Sequence, residues 1–208
     1  MSSITSQAQI LPSRTGRIIL KKPIAENDKD VAILRSHPEI RKNLRYYPET
    51  FFDRRCTSSS RNSSYRPHFA HLSRLQQPDA DMDGTQKELF IGTAILHVNG
   101  FHRSCGSGLL ITPDKQRGGA ETDVIYTLFT NIFEELKLHR TYLKTSSTNV
   151  PMRAWLEKVA GARLETEEQE GWLDLIDSRG FSYVSGYAIL DWEWHGRVKS
   201  ALEKPLGL

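Results

Sequence analysis

The chain has 208 residues, 38% of them hydrophobic, and no apolar run approaches the roughly 18 residues a membrane-spanning helix needs. Lys and Arg number 28 against 25 Asp and Glu, and a net charge of +3 gives no reason to expect a nucleic-acid partner. Cys56 and Cys105 are the only cysteines, which excludes a disulfide framework and zinc-ligand spacing and fits two reduced thiols in a cytoplasmic protein.

Residues 1–15 lack the apolar core of a secretory signal and read as a disordered tail. "GRIILKKP" (16–23) is β-branched and reads as a strand ended by Pro23. Residues 25–49 open with acids and place Val31, Ile33, Leu34, Ile40 and Leu44 near helical spacing. Pro38 divides them into two short helices. A Ser- and Arg-rich stretch (53–66) reads as a polar loop, and "HFAHLSRL" (68–75) as a strand. The loop at 76–86 carries Asp79, Asp81 and Asp83 in calcium-loop fashion. The glutamate that would close such a loop is missing after Gly84, so no metal is expected.

Residues 87–98 and 104–112 read as two more strands. Then Val124, Ile125, Leu128, Phe129, Ile132, Phe133 and Leu136 form the stripe of a helix packed on a sheet. A strand (140–147), a helix (149–161), a strand (162–168) and a long final strand (181–194) follow, with a tail at 195–208. Early hairpins and a later strand–helix–strand unit predict one α/β domain over 16–194 with a mixed sheet.

"ITPDKQRGGAETDVI" (111–125) needs its own explanation. Glycine is poor inside a helix, yet Gly118 and Gly119 stand at the start of one. The first N–H groups of a helix lack internal partners and carry partial positive charge. Two glycines and Ala120 would let a phosphate approach those groups, with Lys115 and Arg117 beside it. The alternative is a loop-to-helix junction that needs glycine for its turn, with surface cations nearby.

Lys115-Gln116-Arg117-Gly118-Gly119-Ala120 resembles the acetyl-CoA loop of the GNAT N-acetyltransferases, Arg/Gln-x-x-Gly-x-Gly/Ala, with Lys115 in the first place. "EELKLHRTYLKTSSTNVPMRAWLEK" (134–158) is similar to a segment of the family's ribosomal-protein N-acetyltransferase-like branch. The N-terminal strand and helices and "DWEW" (191–194) resemble that branch as well. The resemblance implies a mostly antiparallel, twisted mixed sheet, splayed in the middle and flanked by helices. Backbone groups of Leu109, Leu110 and Ile111 would pair with the pantetheine arm of acetyl-CoA. The pyrophosphate would lie on the N–H groups of Gln116 to Glu121, and Asn149 would hold the arm near the thioester, beside Met152. The acceptor would be a small-molecule amine or a protein N-terminus, and the protein a monomer or homodimer.

The catalytic acid is not evident. The branch's serine position is Met152, and the tyrosine that other branches place four residues later is Leu156. His97 and His102 are the nearest titratable candidates for a base, each weighed against a packing or surface role. Tyr46 and Tyr47 would wall the acceptor pocket or belong to the core. The run Glu165, Glu167, Glu168 and Glu170 would attract an amine or form a solvated strand edge. Acetyl transfer to an amine is the expected activity. The alternative is a CoA-binding protein whose acyl transfer is lost or directed to a hydroxyl.

Overall fold

The structure, a computed structural model, describes residues 10–24, 27–49, 66–75, 88–177 and 180–208. Cys56, nearly all of the loop expected at 53–66, and the whole loop at 76–86 lie outside them. Strands β1 (Ile10–Pro12) and β2 (Ile18–Lys21) form an N-terminal hairpin, so the expected tail contributes a strand. The hairpin turn is anchored far along the chain. Ser13 Oγ donates to the Asp123 carboxylate at 3.1 Å, and Thr15 Oγ1 donates to the same oxygen. Asp123 is fully buried, where a carboxylate needs such donors.

Helices α1 (Asp28–Ser36) and α2 (Pro38–Arg41) part at His37, which is extended ahead of Pro38 because proline disfavours helical backbone in its predecessor. The His37 ring then accepts the N–H of Glu39 and caps α2. Strands β3 (Arg66–Leu75), β4 (Glu88–Asn99) and β5 (Ser104–Ile111) follow, then α3 (Ala120–Thr130), which runs into a π-helical turn at Asn131–Glu135. The chain continues through β6 (Arg140–Ser146), α4 (Val150–Lys158), β7 (Arg163–Leu173) and β8 (Phe181–Leu190).

The eight strands form one sheet in the order β1-β2-β3-β4-β5-β6-β8-β7. Neighbours are antiparallel except β5 and β6, which are parallel and pair only over Ser104–Gly106 with Arg140–Tyr142. The sheet parts beyond that point, as expected for a splayed mixed sheet. The α3 stripe is the core: Val124, Ile125, Leu128, Phe129, Ile132 and Phe133 are all buried.

Two boundaries differ from expectation. β7 extends to Leu173 through bulges, and its acids are tied to bases: Glu165 to Arg140, Glu168 to Lys144 at 2.6 Å, Glu167 to Arg153 at 3.5 Å. The acidic run is therefore a charged strand edge. The final strand stops at Leu190, where the Glu193 carboxylate accepts the Leu190 N–H at 3.0 Å and starts a turn into α5 (Asp191–Glu193). A π turn (Trp194–Val198) and α6 (Lys199–Leu206) follow, so residues 195–208 are no tail. Val198 and Leu202 are fully buried.

Trp194 locks this segment down. Its ring stacks on Phe133 at 5.8 Å and meets Phe129 edge-on at 6.0 Å, while Nε1 donates to Glu134 at 2.9 Å. Trp194→Ala is expected to cost about 3–5 kcal/mol, because removing a fully buried indole leaves a cavity among Phe129 and Phe133. Urea unfolding of the variant against the wild type measures this.

Candidate active site

The candidate site begins where β5 leaves β6. From Ser107 to Ile111, β5 pairs with β4 on one edge and leaves the other open. An open edge offers alternating N–H and C=O groups to any extended group laid along it. A Cβ on Gly106, at the parting point, would come within 2.8 Å of the Tyr142 ring and displace that side chain.

A pocket of about 380 Å³ lies at the parting point. Leu109 and Leu110 contribute to its lining, and so do Thr93, Ile95 and His97 from the exposed-side rhythm of β4. One wall is aromatic: Tyr46 packs edge-on against Tyr47 at 4.6 Å and Trp172 at 5.1 Å. That wall is fixed from behind. Arg45 pairs with the buried Asp174 at 2.6 Å, and the Leu175 N–H donates to the Arg45 carbonyl at 3.0 Å. Burial, before any charge effect, pushes the Tyr46 phenol well above its ordinary range. Both tyrosines thus line the pocket.

The two histidines part company. His97 is half-buried in the pocket lining, and burial lowers its pKa from the ordinary histidine value. His102 is exposed in the β4–β5 turn, with its ring against Phe101 at 4.9 Å. It is absent from the pocket lining, because the hairpin turn carries it beyond the strand end. Cys105 offers no nucleophile: burial pushes its thiol up to about 12.

The loop after β5 is preorganised. A 3₁₀ turn (Pro113–Lys115) is followed by Gln116, whose Nε2 donates to the Ile111 carbonyl at 2.9 Å. Ile111 therefore has its carbonyl already satisfied, and its side chain is buried. Lys115 Nζ lies 2.9 Å from the Asp114 carboxylate, which holds that carboxyl below the usual range. Gly119 takes a left-handed φ of 79°, and Arg117 takes 63°. α3 starts at Ala120 with no side-chain cap, leaving its first N–H groups to another acceptor. The Arg117 N–H donates to Glu121 Oε1 at 2.7 Å, so this loop already holds one anionic oxygen. A Cβ built on Gly119 would have no neighbour within 4 Å, and one on Gly118 only the Lys115 carbonyl at 3.7 Å. Space and the open N–H groups at the start of α3 fit a phosphate.

Across the parting, Asn149 caps α4. Its Oδ1 accepts the Met152 N–H at 3.4 Å and its Nδ2 donates to Thr145 Oγ1 at 2.9 Å. Its amide is thus engaged within the protein. Met152 is partly buried against the core, and Leu156 is fully buried, so that position is a packing site. Sequence reasoning missed Arg35, Tyr142, Lys144 and Trp172, which also line the pocket. Tyr142 and Lys144 were visible as one face of an alternating strand. Arg35 and Trp172 come from distant segments, and only the folded chain brings them together.

No family model and no curated protein matches the sequence. Solved structures do. A GCN5-related N-acetyltransferase from Brucella melitensis superposes with a TM-score of 0.71 at 18% identity, over 96% of this chain and 86% of that one. A spermidine N-acetyltransferase from Vibrio cholerae, in complex with CoA and spermine, gives 0.68 at 17% identity, over 86% and 99%. An acetyltransferase of the GNAT family from Bacillus anthracis gives 0.65 at 17% identity, over 88% and 98%. The chain thus has the fold of the GNAT acetyltransferases.

Proposed function

We propose that the protein is an acetyl-CoA-dependent N-acetyltransferase acting on the amine of a small molecule or a protein N-terminus. The observation that carries this is the parting of β5 from β6 beside a pocket that holds His97. Acetyl-CoA would be the second substrate and supply the acyl group: the C–N bond forms as the C–S bond breaks. The open edge at Ser107–Ile111 would bind the pantetheine arm, and an N–H there would stabilise charge developing on the thioester oxygen. The N–H groups of α3's first turn, with Lys115 and Arg117, would hold the pyrophosphate. His97 would take the amine's proton, and the thiolate released would receive one through water.

The buried Leu156 and the core-packed Met152 favour a second reading, CoA binding without transfer, because neither side chain can donate a proton. A thiol thiolate is a tolerable leaving group near neutral pH, with a free pKa of about 8.5, so the missing acid slows transfer without forbidding it. Thiol release from acetyl-CoA, assayed against amines and peptide N-termini with mass detection of the acetylated product, decides between the two. Product above the no-enzyme rate supports the transferase. CoA binding with no product from any acceptor supports the second reading.

A further inference from the structure

The pocket's charge points to the chemistry of the acceptor beyond its amine. Among the described residues that line it, two are cations, Arg35 and Lys144, and none is a carboxylate. Lys144 is matched by Glu168 at 2.6 Å. Arg35 is placed differently. Its guanidinium stands 5.6 Å from the centre of the Tyr47 ring, and its Nε is buried with no hydrogen-bond partner among the described residues. A buried guanidinium donor without an acceptor is costly, whereas one that meets an incoming anion gains a charge-assisted bond. An acceptor with a second ammonium group would meet like charge and no counter-ion in this lining.

We propose that Arg35 reads an anionic group on the acceptor, so that the substrate class is amines carrying a carboxylate or comparable anion, rather than polyamines. This rests on the transferase reading. The amine would approach the parting point near His97, and the anion would lie toward α1, where the Tyr47 face backs the guanidinium. Arg35 is a binding residue here and takes no part in proton transfer.

The test uses matched linear amines, from ethyl to hexyl, whose far end is a carboxylate, a methyl or an ammonium group. Each is measured by calorimetry in the presence of CoA and by turnover with acetyl-CoA, in the wild type and in Arg35→Gln and Arg35→Lys. The expected result is tightest binding and lowest KM for a carboxylate. Arg35→Gln should weaken carboxylates by about ten- to a hundredfold more than it weakens methyl-ended amines, the difference appearing in binding and KM. Arg35→Lys should recover part of the loss. CoA affinity and the melting temperature, measured alongside, confirm a folded variant. Preference for ammonium- or methyl-ended amines, equal losses across all three classes, or no binding of any amine overturns the proposal. Carboxylate binding that depends on Arg35, but without turnover, supports it while overturning the transferase reading.

Discussion

His97→Gln is expected to lower kcat/KM by about 10²- to 10⁴-fold while leaving CoA affinity unchanged. The amine acceptor arrives mostly protonated, since an unperturbed alkylammonium of the lysine type has a pKa near 10.4. A neutral imidazole in the pocket can take that proton, and His97 is in the lining, half-buried. Its burial favours the neutral form and lowers its pKa from the ordinary value. The sign for activity follows. The base form dominates above the lowered pKa, so the rate should fall only as pH drops through a value below that of an exposed histidine. His97→Gln should remove that acidic limb as well as lower the rate. A pH profile of kcat/KM for both proteins checks it. A variant that keeps the limb and the rate would assign the proton to another group.

The second large effect is expected at the loop. Gly118→Glu should weaken CoA by about 10²-fold, through lost charge-assisted bonds and like charge, with little change in melting temperature. The fold should tolerate it, because a Cβ at Gly118 meets only an ordinary 3.7 Å contact. Gly119 is a poorer place for this test: its φ of 79° strains any other residue, so a loss there mixes backbone strain with charge. Gly118→Ala is the matched control and should keep CoA affinity. Calorimetry with CoA measures all three proteins. Equal affinity in Gly118→Glu and wild type would remove the phosphate from this loop.

The parts of the fold written in local periodicity were legible. The α3 stripe from Val124 to Phe133 declares a sheet-packed helix, and all of it is buried. The loop glycines were legible because a helix start has few uses for two of them. The C-terminal segment was not. "DWEW" continues the apolar character of β8, and the turn at Leu190 depends on the Glu193 carboxylate reaching back to a backbone N–H. β7 was read as ending at Glu168, because the irregular register between Glu168 and Trp172 breaks the strand's alternation before it resumes at Trp172 and Leu173. In the site, Tyr46, Tyr47 and His97 could be named from sequence, but not which histidine lines the pocket. His97 and His102 are close in the chain, and the hairpin turn separates them. Arg35 gave no local signal, since an arginine on an amphipathic helix is ordinarily a solvated side chain.

The most direct measurement of the central claim is backbone amide hydrogen exchange with and without CoA. The account predicts slower exchange in two separate segments, Ser107–Ile111 on the open edge of β5 and Gln116–Glu121 at the start of α3, with little change in the β1–β2 hairpin. Unchanged exchange in both segments at saturating CoA, or protection confined to another part of the sheet, would contradict it.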